Sequence, residues 1–101
     1  IRRELPDESL IYVADSAYAP YGGRPDAEIA ARAHALAAYL VERGAKALVV
    51  ACNTATAVAA ASLRASFSLP IVAMEPAVKP AATLTRSGVI GVLATRRTVE
   101  S

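Results

Sequence analysis

At 101 residues the chain is long enough for one domain at most. Hydrophobic residues make up 54% of it, yet no apolar run approaches the roughly 20 residues of a membrane-spanning helix, and no signal-peptide pattern stands out. The net charge of +2 comes from scattered basic residues, adjacent only at Arg2-Arg3 and Arg96-Arg97, which leaves no nucleic-acid footprint, and the single cysteine cannot form an internal disulfide and fits a reducing cytoplasm.

Ile1 to Leu5 read as the last turns of a helix that began upstream, closed by Pro6. Leu10 to Ala14 is an apolar strand, followed by a loop from Asp15 to Gly23 punctuated by Pro20, Gly22 and Gly23. Pro25 suits the first position of a helix, with Asp26 and Glu28 well placed against the dipole in its first turn. Ile29, Ala33, Leu36 and Leu40 fall on one helical face, Glu28 and Arg32 are spaced to pair on the other, and Gly44 closes the helix in the left-handed conformation. Lys46 to Ala51 is a β-branched apolar run, the pattern of a strand buried on both faces. It stops at Cys52, and an alanine-rich helix runs on to about Ser66.

Leu69-Pro70 ends that helix, and Ile71 to Met74 forms the next strand. Pro76 to about Arg86 reads as a third helix, with Pro80 just past its first turn, where a kink is expected, and Gly88 as its cap. Val89 to Ala94 is a fourth strand, leading into Thr95 to Thr98 and what looks like the start of another helix. Strands alternating with helices predict an α/β fold, a parallel sheet with flanking helices, in a single domain over residues 1–101. Right-handed crossovers then place every strand's carboxyl end on one edge, where such sheets bind ligands. Four turns are expected there: Asp15 to Gly22, Cys52 to Thr54, Glu75-Pro76 and Thr95 to Thr98.

The residues in those turns have ordinary roles open to them as well. A lone cysteine is commonly a small buried hydrophobe. Cys52, however, sits beside a helix N-terminus, whose N–H groups and dipole favour a thiolate over a thiol. Asn53 and Thr54 are good helix caps, as are Thr95 and Thr98 for the next helix. Asp15 and Glu75 suit turn or helix capping, and the hydroxyl of Tyr21 suits surface packing or a carboxylate ligand. His34 lies mid-helix as a surface residue, and one cysteine with one histidine makes no metal site. No Walker or Rossmann phosphate loop is present. Position and spacing alone therefore describe a pocket for a small anion with a thiol in it.

These same residues carry a resemblance. Tyr12-Val13-Ala14-Asp15-Ser16-Ala17 leading to Pro20-Tyr21-Gly22, then Val49-Val50-Ala51-Cys52-Asn53-Thr54-Ala55, the run Pro70 to Ala81, and Gly88 to Thr95 stand in an order and spacing that resemble the glutamate racemases of the aspartate/glutamate racemase superfamily. The resemblance spans nearly the whole chain, and Pro20-Tyr21-Gly22 favours the glutamate over the aspartate enzymes.

It implies a cofactor-independent, two-base interconversion of L- and D-glutamate that supplies D-glutamate for bacterial peptidoglycan. One cysteine thiolate removes the α-proton and a second cysteine delivers a proton to the opposite face. By position, Cys52 matches the first catalytic cysteine, and Tyr21, Gly22, Asn53, Thr54, Thr95 and Thr98 match substrate-binding positions. Glu75 matches a position at the pocket edge with no role assigned. The implied setting is the bacterial cytoplasm, with glutamate as the small-molecule partner, no nucleic acid, no membrane, no metal and no cofactor; a homodimer stays open. The family's opening strand, its first substrate-contacting residues and its second cysteine would lie outside these 101 residues. The chain is thus expected to be an incomplete racemase-like domain that is inactive alone. A non-catalytic dicarboxylate-binding or protein-interaction module, or a related aspartate racemase, remains the alternative.

Overall fold

The computed structural model describes all residues 1–101. Its element order is α1 (Asp26–Glu42), β1 (Leu48–Val50), α2 (Asn53–Ser66), β2 (Ile71–Ala73), α3 (Val78–Leu84) and α4 (Arg96–Glu100). β1 and β2 pair in parallel, with Leu48 opposite Ile71, Val49 opposite Val72 and Val50 opposite Ala73. The ladder extends one bond at each end, Leu48 N–H to the Pro70 carbonyl at 2.9 Å and Met74 N–H to the Val50 carbonyl at 3.0 Å. The α/β architecture is therefore a two-stranded parallel sheet with α2 as the crossover.

α1 stops where its sequence predicts and starts one residue later than expected, at Asp26 rather than Pro25. Pro25 takes the capping position just before it, Asp26 and Glu28 sit in its first turn, and the apolar stripe faces inward with Ile29 and Ala37 buried. Gly44 adopts φ +84°. This lets Gly44 N–H reach the Val41 carbonyl and Ala45 N–H reach the Leu40 carbonyl, the paired bonds of a Schellman closure. The core lies where α1 and α2 meet the sheet: Ala37, Leu48, Ala59, Leu63 and Ile71. The small residues of α2 let it approach closely, with Ala59 and Leu63 essentially inaccessible. Fully burying a side chain such as Leu63 contributes about 1.5–3 kcal/mol.

Several expectations are corrected. Leu10 to Ala14 and Val89 to Ala94 form no strands; a strand exists only through a partner's hydrogen bonds, and neither segment finds one within these residues. β1 is covered on one face only: Leu48 is buried, whereas Val49 is 52% exposed, as is its partner Val72 at 60%, because the core gathers on the opposite face. Ile1 to Leu5 make a single hydrogen-bonded turn rather than a helix. α3 begins at Val78, which brings Pro80 into the first turn, where no intrahelical N–H is lost. It ends at Leu84, so Gly88, at φ +77°, serves the turn beyond it rather than the helix end. No helix is long and apolar enough to cross a membrane.

Candidate active site

Cys52 leaves β1 in extended conformation (φ −152°, ψ 121°) and is itself the N-cap of α2; its Sγ accepts the Ala55 N–H at 3.4 Å. The capping role expected of Asn53 and Thr54 thus falls to the thiol, and those two residues occupy the first turn of the helix. Their N–H groups have no intrahelical acceptor there. Thr54 is buried, and its hydroxyl lies 2.8 Å from that of Thr95. Thr95 caps α4 by accepting the Thr98 N–H, and its hydroxyl also lies 3.1 Å from the buried Thr98 hydroxyl. An Arg97–Asp26 ion pair ties α4 to the start of α1.

Gly22 approaches the same threonine. A Cβ at Gly22 would stand 3.2 Å from Thr95 Cγ2, tighter than side chains ordinarily pack, so glycine permits this contact. The result is a cavity of about 570 Å³ whose polar end is formed by Asp15, Tyr21, Gly22, Cys52, Thr54 and Thr95, and whose remainder is apolar. Cys52 is half-buried at its wall, not sealed in the interior.

Of the residues singled out from sequence, Tyr21, Gly22, Cys52, Thr54 and Thr95 line the cavity together, and Thr98 stands directly behind Thr95. Asn53 does not line it; its Oδ1 is buried without a hydrogen-bond partner. Glu75 follows β2 on the same sheet edge but is exposed and stays out of the cavity. His34 bridges α1 to α2 through Ser62 Oγ at 2.9 Å. No group of His, Cys, Asp and Glu side chains is arranged to hold a metal ion.

A second polar cluster adjoins the cavity. Arg32 does not pair with Glu28, which takes Arg24 instead at 2.5 Å. Arg32 grips Asp15 with both prongs, Nε to Oδ2 at 3.0 Å and Nη2 to Oδ1 at 2.8 Å. Tyr21 donates its hydroxyl to Asp15 Oδ2 at 2.5 Å. The Arg32 guanidinium beside Asp15 holds its carboxyl below the usual carboxylate value, against an opposing effect of burial. Burial first, and then the bond to Asp15, push the Tyr21 phenol up to about 12. The same ion pair raises Arg32. From sequence, Asp15 reads as a turn residue and Arg32 as half of a surface pair; the one available signal is that Asp15 ends an apolar segment, which does not reveal its partner.

A family profile described as Asp/Glu/Hydantoin racemase matches residues 1–101. The chain belongs to this racemase family. Racemases similar to it include the glutamate racemase of Stutzerimonas stutzeri, 61% identical over all of this chain and 39% of the relative, and that of Methylococcus capsulatus, 54% identical over all of this chain and 37% of the relative. Among solved racemase structures, Escherichia coli glutamate racemase in complex with L-glutamate and the activator UDP-MurNAc-ala superposes with a TM-score of 0.92 at 45% identity, covering 100% of this chain and 38% of that one. The Aquifex pyrophilus enzyme gives 0.86 at 35%, covering 98% and 40%. The chain thus spans a little over a third of the length of these racemases.

Proposed function

We propose that the full-length protein is a glutamate racemase, working without a cofactor in the bacterial cytoplasm and supplying D-glutamate for peptidoglycan. This chain, as one α/β domain, contributes the first of two proton carriers. The observation that carries the reading is the placement of Cys52 Sγ: it caps α2 in a cavity shared with Tyr21, Gly22, Thr54 and Thr95. The relatives of 54–61% identity that bear the glutamate racemase name support the choice of substrate.

The resemblance to the racemase family implies the chemistry, and the placement of Cys52 supports it. The Ala55 N–H that Sγ accepts stabilises an anionic sulfur. The thiolate takes the α-proton of glutamate: the Cα–H bond breaks, an S–H bond forms, and the electron pair delocalises into the adjacent carboxylate. A second thiol, from outside these residues, returns a proton to the opposite face and inverts the centre. The unbonded Thr54 N–H at the start of α2, with the one hydroxyl proton that the Thr54–Thr95–Thr98 chain leaves free at the cavity wall, supplies donors for the substrate carboxylates, and Thr98 supports Thr95 from behind.

The test is α-proton exchange of L- and D-glutamate by the full-length protein. Cys52→Ser keeps a good N-cap, so α2 stays folded, while exchange falls by on the order of 10²–10⁴-fold, the scale of a lost general base. Full rates in both directions for Cys52→Ser overturn the assignment. Faster turnover of aspartate than of glutamate replaces it with the aspartate enzyme. Sedimentation of the full-length protein tests assembly as a homodimer.

A further inference from the structure

The loop Asp15–Gly22 carries Tyr21 and Gly22 to the cavity wall without regular secondary structure. Its own bonds are few: Tyr18 and Ala19 N–H both turn back to the Asp15 carbonyl. Arg32, from the second turn of α1, meets it at two further points. The guanidinium forks onto both carboxylate oxygens of Asp15 and lies with its Cζ 4.0 Å from the centre of the Tyr18 ring. Through Asp15 Oδ2 the same network reaches the Tyr21 hydroxyl. The Arg32 and Asp15 side chains are 27% and 11% exposed, so the pair is largely withdrawn from water, unlike an ordinary surface ion pair.

We propose that Arg32 is a positioning residue of the substrate site: acting through Asp15, it anchors Tyr21 and holds the Asp15–Gly22 loop at the cavity wall. This deepens the racemase reading and rests on it for the identity of the ligand. The Tyr21 phenolic proton is engaged by Asp15, so its hydroxyl has no donor left for a ligand carboxylate. Tyr21 therefore acts as the loop's anchor, and Gly22, packed against Thr95, follows from where Tyr21 is held. A lysine cannot replace the fork, because one ammonium cannot match both carboxylate oxygens and stack on Tyr18.

The experiment compares the full-length protein with Arg32→Gln, Arg32→Lys, Asp15→Asn and the Arg32→Gln/Asp15→Asn double variant. Amide hydrogen exchange of residues 15–22 is expected to quicken in all four while that of α2 is unchanged. KM for both glutamate enantiomers is expected to rise on the order of tenfold in Arg32→Gln, with kcat much less affected, and Arg32→Lys to fall between Arg32→Gln and the wild type. The double variant is expected to be no worse than the poorer single one, as for residues acting as one unit. Wild-type loop exchange and KM in Arg32→Gln, or additive losses in the double variant, overturn the proposal; Arg32→Lys carries the same test should Arg32→Gln not fold. Absence of glutamate turnover by the wild type sinks the racemase reading instead, and the exchange measurement still judges Arg32.

Discussion

Thr54 and Thr95 stand 41 residues apart in the chain, yet their hydroxyls meet at 2.8 Å, joining the start of α2 to the cap of α4. This bond closes one wall of the cavity, and Thr54 is buried where it forms. Thr54→Val keeps the shape and removes the hydroxyl. It is expected to cost about 1 kcal/mol, the net value of a typical internal hydrogen bond, and to weaken glutamate binding. Denaturant unfolding and KM of the full-length protein check the two halves separately.

Gly22 packs against the same threonine, and Thr95 is held by its bonds to Thr54 and Thr98. A methyl group at position 22 must therefore push on a side chain that is not free to swing away. Gly22→Ala is expected to raise KM severalfold in both directions and to lower the melting temperature modestly, because the pinned threonine gives the strain no easy outlet. An unchanged KM would mean that this contact does not shape the ligand site.

The Asp15–Arg32 pair makes stability depend on pH with a definite sign. The Asp15 carboxyl titrates lower in the folded state than its ordinary value. Its contribution is thus fully present above the unfolded value of about 3.9 and fades as pH falls through the lowered folded value. Asp15→Asn is expected to melt below the wild type by a constant margin at neutral and mildly acidic pH, and the gap is expected to narrow below about pH 4. Parallel thermal melts across that range provide the measurement.

Tyr21 titrates in the opposite direction. Its phenol is pushed up to about 12, so the folded state keeps a proton that the unfolded chain releases near 10. That contribution is complete below pH 10 and declines as pH rises toward 12. A phenolate absorbance titration of wild type against Tyr21→Phe is expected to assign the late-titrating phenol to Tyr21, and Asp15→Asn is expected to bring it earlier.

Local order decided what the sequence by itself determined. α1 is legible because an apolar stripe, acidic first-turn residues and a closing glycine all act within a few residues of one another. The Cys52 turn is legible for the same reason: an apolar run meets a small-residue helix, and the resemblance to racemases rests on such contiguous stretches. Tertiary structure decided the rest. Leu10 to Ala14 and Val89 to Ala94 have strand-like composition, but strandhood depends on hydrogen bonds from another segment. Arg32 had Glu28 one helical turn away, yet took Asp15, 17 residues distant, because folding brings there a largely buried carboxylate that accepts both prongs, while Glu28 is engaged by Arg24.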